Sequence, residues 1–214
     1  MDARASLYAR VTIASTVFFF TVMFVAFPFI QPELDPLLRY GSEYASGRMG
    51  WLMKLNFYVW GAGLVAFALA MGKGLDPEAR SRVAVALFVV AGLGIFLSGI
   101  FDSDLQVLNE SPPPVWIEPP PSGEQKLHIL AGLAAFFSLM PGAGLVSRRL
   151  RMAGRLSGPY RWMRPLSWLL PVAFAGPIFL SPGLIGLWQR VFLVLVFAWL
   201  ILAARGLEQG AFAR

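Results

Sequence analysis

The sequence predicts an all-α polytopic membrane protein, a six-transmembrane-helix bundle forming one domain over residues 1–214 with both termini cytoplasmic. Three observations carry this. Of 214 residues 57% are apolar and 14% charged, against about 25% charged in ordinary soluble domains. The apolar residues come in long blocks: Val83 to Phe101 is nineteen residues without a charge, enough to cross a hydrocarbon core as a helix. The basic residues are shared unevenly between alternate loops.

In chain order the spans are Val11 to Ile30, Met49 to Met71, Val83 to Phe101, Leu127 to Val146, Leu166 to Leu180 and Trp188 to Ala204. The basic segment "MDARASLYAR" before the first is the kind of lead a signal peptide carries. The apolar run is too long for that, however, and no small-residue cleavage site follows in "FPFIQPELDP", so the span is expected to stay as a helix. The third and fourth spans carry small residues (Gly92, Gly94, Ser98, Gly99; Ala131, Gly132, Ala135), which let helices approach closely in lipid. The fifth carries Pro171 and Pro177 and is joined to the sixth by "SPGLIGL"; a tight hairpin is expected, with a broken helix lining a cavity as the alternative. Between the third and fourth spans, the proline triplets Pro112 to Pro114 and Pro119 to Pro121 favour stiff polyproline II geometry, as a connector or a lid. Trp51, Trp162, Trp168 and Trp188 lie near span ends as interface anchors.

Positive charge sets the orientation. The N-terminus, the second and fourth loops and the C-terminus hold thirteen of eighteen Lys and Arg residues, while the opposite side holds eight of twelve acids. The positive-inside rule then puts both termini in the cytoplasm of a multi-pass protein of the cell membrane. The arginine-rich fourth loop, "SRRLRMAGRLSGPYRWMR", sets topology and would also attract anionic lipid.

Composition excludes several classes. With no cysteine there is neither a disulfide nor a thiolate metal site, and a single histidine rules out a pair of axial imidazoles. The net charge of +6 falls in particular loops rather than in an aromatic-interleaved basic stretch, so no nucleic-acid partner is expected. No cofactor is implied.

The polar residues near the outer ends of the spans are the candidate site. Glu43, Lys54 and Asn56 lie near the second, Asp102 and Asp104 end the third, His128 begins the fourth, and Gln189 and Arg190 begin the sixth. Lys54 and Asn56 are two residues apart, about 200° round a helix, so they face different ways; Asn56 shares a face with Trp60 and Lys54 with Tyr58. Facing inward, Lys54 is a counter-charge for Asp102 or Asp104; facing lipid, it snorkels.

Three chemistries suit this set. Asp104 would orient His128 while the imidazole moves a proton. Two carboxylates and one imidazole would make a three-ligand metal set, but no ligand spacing such as HxxxH supports it and no metal is assigned. Lys54, Arg190 and His128 would hold a phosphate or carboxylate headgroup. Equally, the same residues would cap helix ends and pair with Lys126, Arg190 or Arg48.

Four segments, "YGSEYASGRMGWLM", "GIFDSD", "LH" and "GLWQR", together resemble the prokaryotic six-helix membrane family known as domain of unknown function 998. The resemblance covers nearly the whole chain. It implies six helices, no known activity, and family positions at Asp104, His128, Gln189 and Arg190; where this chain has Asp102 the family more often has proline.

The expected function is binding of a lipid or small amphiphile at the outward polar cluster, with Lys54, Asn56, Asp102, Gln189, Arg190 and Glu43 as ligand contacts. The alternative is an intramembrane isomerase, cyclase or hydrolase acting on a lipophilic substrate, with Asp104 and His128 as its acid-base pair. Expected partners are membrane lipids, a lipophilic small molecule, or another membrane protein against which the spans pack.

Overall fold

A computed structural model describes residues 2–105, 107–108, 116–117, 121–181 and 183–212, with backbone alone at 107–108 and 116–117. Six long helices appear: α1 (Ala3–Ile30), α2 (Gly50–Gly74), α3 (Arg82–Ile100), α4 (Gly123–Met152), α5 (Met163–Phe179) and α6 (Ile185–Glu208). All but α5 are long and apolar enough to cross a membrane; α5 has 17 residues. A two-residue antiparallel pairing, Val107–Leu108 with Trp116–Ile117, lies between α3 and α4. Of the two proline triplets, all but Pro121 lie outside the described residues.

Local chemistry starts several of these helices. Asp2, Ser81 and Ser122 occupy the N-cap positions of α1, α3 and α4, and their side-chain oxygens accept from Arg4 N, Ala84 N and Gln125 N at 2.8, 3.2 and 3.0 Å. Within α1 the segment Thr21–Ala26 widens to π-helical bonding before Phe27–Ile30 resumes the α-helix. Helix α5 runs unbroken through Pro171 and Pro177, and α4 through Pro141, so the broken-helix alternative for the fifth span is not what forms.

Each helix packs on its neighbours in sequence, and α6 closes back on α1, giving a ring whose centre also brings α2 against α6. Stacked and edge-on aromatics fill that centre: Phe88 of α3 lies parallel to Trp199 of α6 at 5.7 Å, with Phe67 of α2 edge-on to both. Trp199 Nε1 donates to Ser147 Oγ at 2.9 Å, and that hydroxyl donates to Met163 O at 3.2 Å, tying α6, α4 and α5. Close approach depends on glycine at the α2–α3 crossing, where a Cβ on Gly61 would sit 2.7 Å from Gly92 O and one on Gly92 2.7 Å from Gly61 O.

The ring has two distinct ends. One carries both termini and the ion pairs Arg10–Glu208 (2.9 Å) and Arg155–Asp76 (3.3 Å). The other, the polar end, carries residues 31–49 and 101–105 with most of the residues singled out above.

Candidate functional site

At the polar end, residues 31–49 fold down onto the start of α6. Glu43 is 1% exposed within the 3₁₀ turn Gly41–Ser46; it accepts from Arg39 Nη1 at 2.8 Å and from Tyr40 N at 2.9 Å. Arg190 reaches up from α6, donating through Nη1 to Arg39 O (2.9 Å) and Gly186 O (3.1 Å) and through Nη2 to Tyr44 OH (3.3 Å). Its guanidinium also lies over the Tyr44 ring at 5.9 Å. The next residue back, Gln189, accepts from Gly41 N at 2.7 Å. Gln31 Nε2 adds bonds to Tyr44 O and Arg48 O at 2.9 and 2.6 Å. Burial pushes the Tyr44 phenol above its usual range, against the opposing pull of Arg190, so it stays a neutral hydroxyl. Arg190 and Glu43 thus hold the loop in place through bonds that use their polar atoms on protein partners.

The carboxylates after α3 divide. Asp102 pairs with Lys54 at 2.5 Å on a half-exposed surface, so Lys54 meets a counter-charge rather than snorkelling. Asp104 turns to the start of α4, accepting from Ser122 N and Ser122 Oγ, both at 2.9 Å, while its own N–H donates to Gln125 Oε1 at 2.8 Å. Asp104 is therefore engaged on the α4 cap, and the bond that His128 makes is to a different group, Phe101 O, 3.0 Å from Nδ1. A carbonyl only accepts, so Nδ1 carries a proton and donates it to Phe101 O. Asn56, fully buried, donates to Phe19 O at 3.3 Å and faces away from Lys54, as their spacing requires.

Beneath the folded loop is a cavity of about 50 Å³, to which five of the six helices contribute. Phe19 comes from α1, Ser42 from the 3₁₀ turn, Trp60 from α2, Ser98 from α3, His128 from α4 and Gln189 from α6. Two residues singled out in the sequence, His128 and Gln189, therefore line one space. Trp60, 1% exposed, has its Nε1 donor without a partner among the described residues. Leaving such a donor dry costs about 1–3 kcal/mol. Trp60 lies one turn below Asn56 and Gly132 one turn below His128; following that i, i+4 spacing inward from the polar residues would have found them.

A family model described as Protein of unknown function (DUF998) matches residues 3–206. The chain belongs to this family. No curated protein and no solved structure matches it. The matched DUF998 region takes in α1 to α5 and nearly all of α6, so the loop lock and the cavity both lie inside it.

In this DUF998 chain the polar end can do two separable things. The Arg190–Glu43–Arg39 network positions Ser42 and Gln189 over the cavity. The Asp104–Ser122 pair only caps a helix. Asp104→Ala is therefore expected to lower unfolding stability in detergent by about 1 kcal/mol, as the bonds from Ser122 N and Oγ are lost while Ser122 still caps the helix. A thermal melt read by tryptophan fluorescence checks this; a loss several times larger would mean that the carboxylate does more than cap.

Proposed function

We propose that this chain is a six-span protein of the cell membrane, with both termini cytoplasmic, that binds a small amphiphile by its polar head in the cavity under residues 31–49. The even number of helices returns the chain to the side on which thirteen of eighteen basic residues lie. The observation that carries the binding reading is that Trp60, whose buried Nε1 has no partner among the described residues, lines a cavity that His128, Gln189, Ser98 and Ser42 also line. These groups supply a donor and acceptors to a compact hydroxyl or carbonyl head. A volume near 50 Å³ accepts such a head, about three or four water-sized groups, and no more.

Glu43 and Arg190 act in this reading by holding the loop and Lys54 and Asp102 by pairing with each other, and not as headgroup contacts, since none of the four lines the cavity. Binding is favoured over acid-base catalysis because Asp104 is engaged with Ser122.

Trp60→Phe tests the reading. If the indole donor serves a ligand, wild type purified in mild detergent retains a small molecule in native mass spectrometry and Trp60→Phe retains about tenfold less, the loss of one buried hydrogen bond. If the indole is only packing, the substitution leaves the bound species unchanged. Equal retention of bulk lipids alone by both proteins would sink the proposal.

A further inference from the structure

At the opposite end of the bundle, α4 and α5 part to leave a groove of about 710 Å³. On α4 its wall is Gly144, Arg148 and Arg151; on α5 it is Arg164, Trp168 and Pro171. Both sets follow helical i, i+4, i+7 spacing, so each is a single stripe, and the stripes run antiparallel. All three arginines fall at the mouth, toward the end of the ring that carries the termini, while Gly144 and Pro171 lie deeper along the bundle. The floor adds no unspent polar group: Ser147 Oγ bonds Trp199 Nε1 and Met163 O, and Ser167 Oγ bonds Arg164 O at 2.8 Å.

None of the three guanidinium groups has an ion pair among the described residues; of the acids at this end, Asp76 pairs with Arg155, Glu208 pairs with Arg10 and Asp2 accepts from Arg4 N. The helix dipole explains Arg151 in the last turn of α4 but not Arg164, which is the second residue of α5, where a cation is disfavoured. A second groove, about 280 Å³, meets the first at Arg148 on the other flank of α4.

We propose that the α4–α5 groove binds an anionic phospholipid of the surrounding bilayer, with its phosphate held by Arg148, Arg151 and Arg164 and an acyl chain lying along the deeper apolar part. A soluble phosphate would use the mouth and leave the apolar length unused. A neutral phospholipid would leave net positive charge uncompensated.

The test uses the full chain in detergent, stripped of lipid, with native mass spectrometry measuring bound lipid. Wild type should bind phosphatidylglycerol well above phosphatidylcholine. The triple variant R148Q/R151Q/R164Q should bind phosphatidylglycerol on the order of a hundredfold more weakly, roughly fivefold for each charge near an anionic headgroup. A control, R4Q/R82Q/R205Q, removes the same charge elsewhere and should bind as wild type. Gly144→Leu obstructs the groove without changing charge; a Cβ there meets no atom within 4 Å, so the substitution is expected to be tolerated by the fold and should also lose the lipid. If the triple variant fails to fold, Gly144→Leu decides. Wild-type affinity in Gly144→Leu or in the folded triple variant overturns the proposal, as does equal binding of phosphatidylcholine. Full displacement of the lipid by millimolar inorganic phosphate would reassign the site to a soluble anion.

Discussion

Gly92→Leu is expected to destabilise the bundle by about 3 kcal/mol or more, at the upper end of what overpacking costs. The reason is backbone against backbone. A Cβ on Gly92 would stand 2.7 Å from Gly61 O and 3.0 Å from Val65 N, and neither atom can rotate away as a side chain can. The helices must separate. Because Gly94, two residues on, packs the opposite face of α3 against Ala131 and Ala135, the helix has no free side toward which to shift. Gly72→Leu is the control: a Cβ at Gly72 meets nothing within 4 Å, and the change should stay within about 1 kcal/mol. Denaturant titration in a fixed detergent, comparing midpoints, checks both. A Gly92→Leu midpoint near wild type would show that the α2–α3 crossing can open by a side chain's width at little cost.

Arg190→Ala is expected to cost about 3 kcal/mol, as charge-assisted bonds to Arg39 O, Gly186 O and Tyr44 OH are lost together from a site 9% exposed. The more telling effect is local. With Arg190 gone, residues 31–49 keep the Glu43–Arg39 pair but lose their main tie to α6, so trypsin should cleave after Arg39 or Arg48 far faster than in wild type. Arg190→Lys should rescue only part of this protection, because one ammonium cannot reach three acceptors fixed in the geometry of a planar fork. Protection unchanged in Arg190→Ala would show that Gln189 and Gln31 suffice to hold the loop.

The helices were legible because lipid demands long apolar runs, and all six expected spans fall on helices. Their ends were less so. Helix α4 runs on past Val146 through Arg148, Arg149 and Arg151, because hydrocarbon ends where charge begins whereas a helix ends where its backbone bonds do. Helical geometry also separated Lys54 from Asn56 correctly, since that depends on residue spacing alone. What sequence could not show was the partner of each polar group. Arg190 bonds two carbonyls and His128 one, and a carbonyl belongs to every residue. Asp104 looked like a partner for His128 because both lie at one depth. Ser122, whose cap position needs an acceptor beside it, is the partner it has. Trp60 shares a face with Asn56, a spacing legible in the sequence, but an indole in mid-span reads as packing until its donor is seen to lack a partner among the described residues.

The ring closure has a bearing on the order in which the protein is made. Helices α2 to α5 can each settle against the helix made just before, whereas the contact between α1 and α6 joins segments some 198 residues apart at Arg10 and Glu208. Until α6 inserts, residues 31–49 lack Arg190 and the cavity lacks the wall that Gln189 and Leu193 supply. The cavity beneath residues 31–49 is therefore the last part of the bundle to take shape during synthesis.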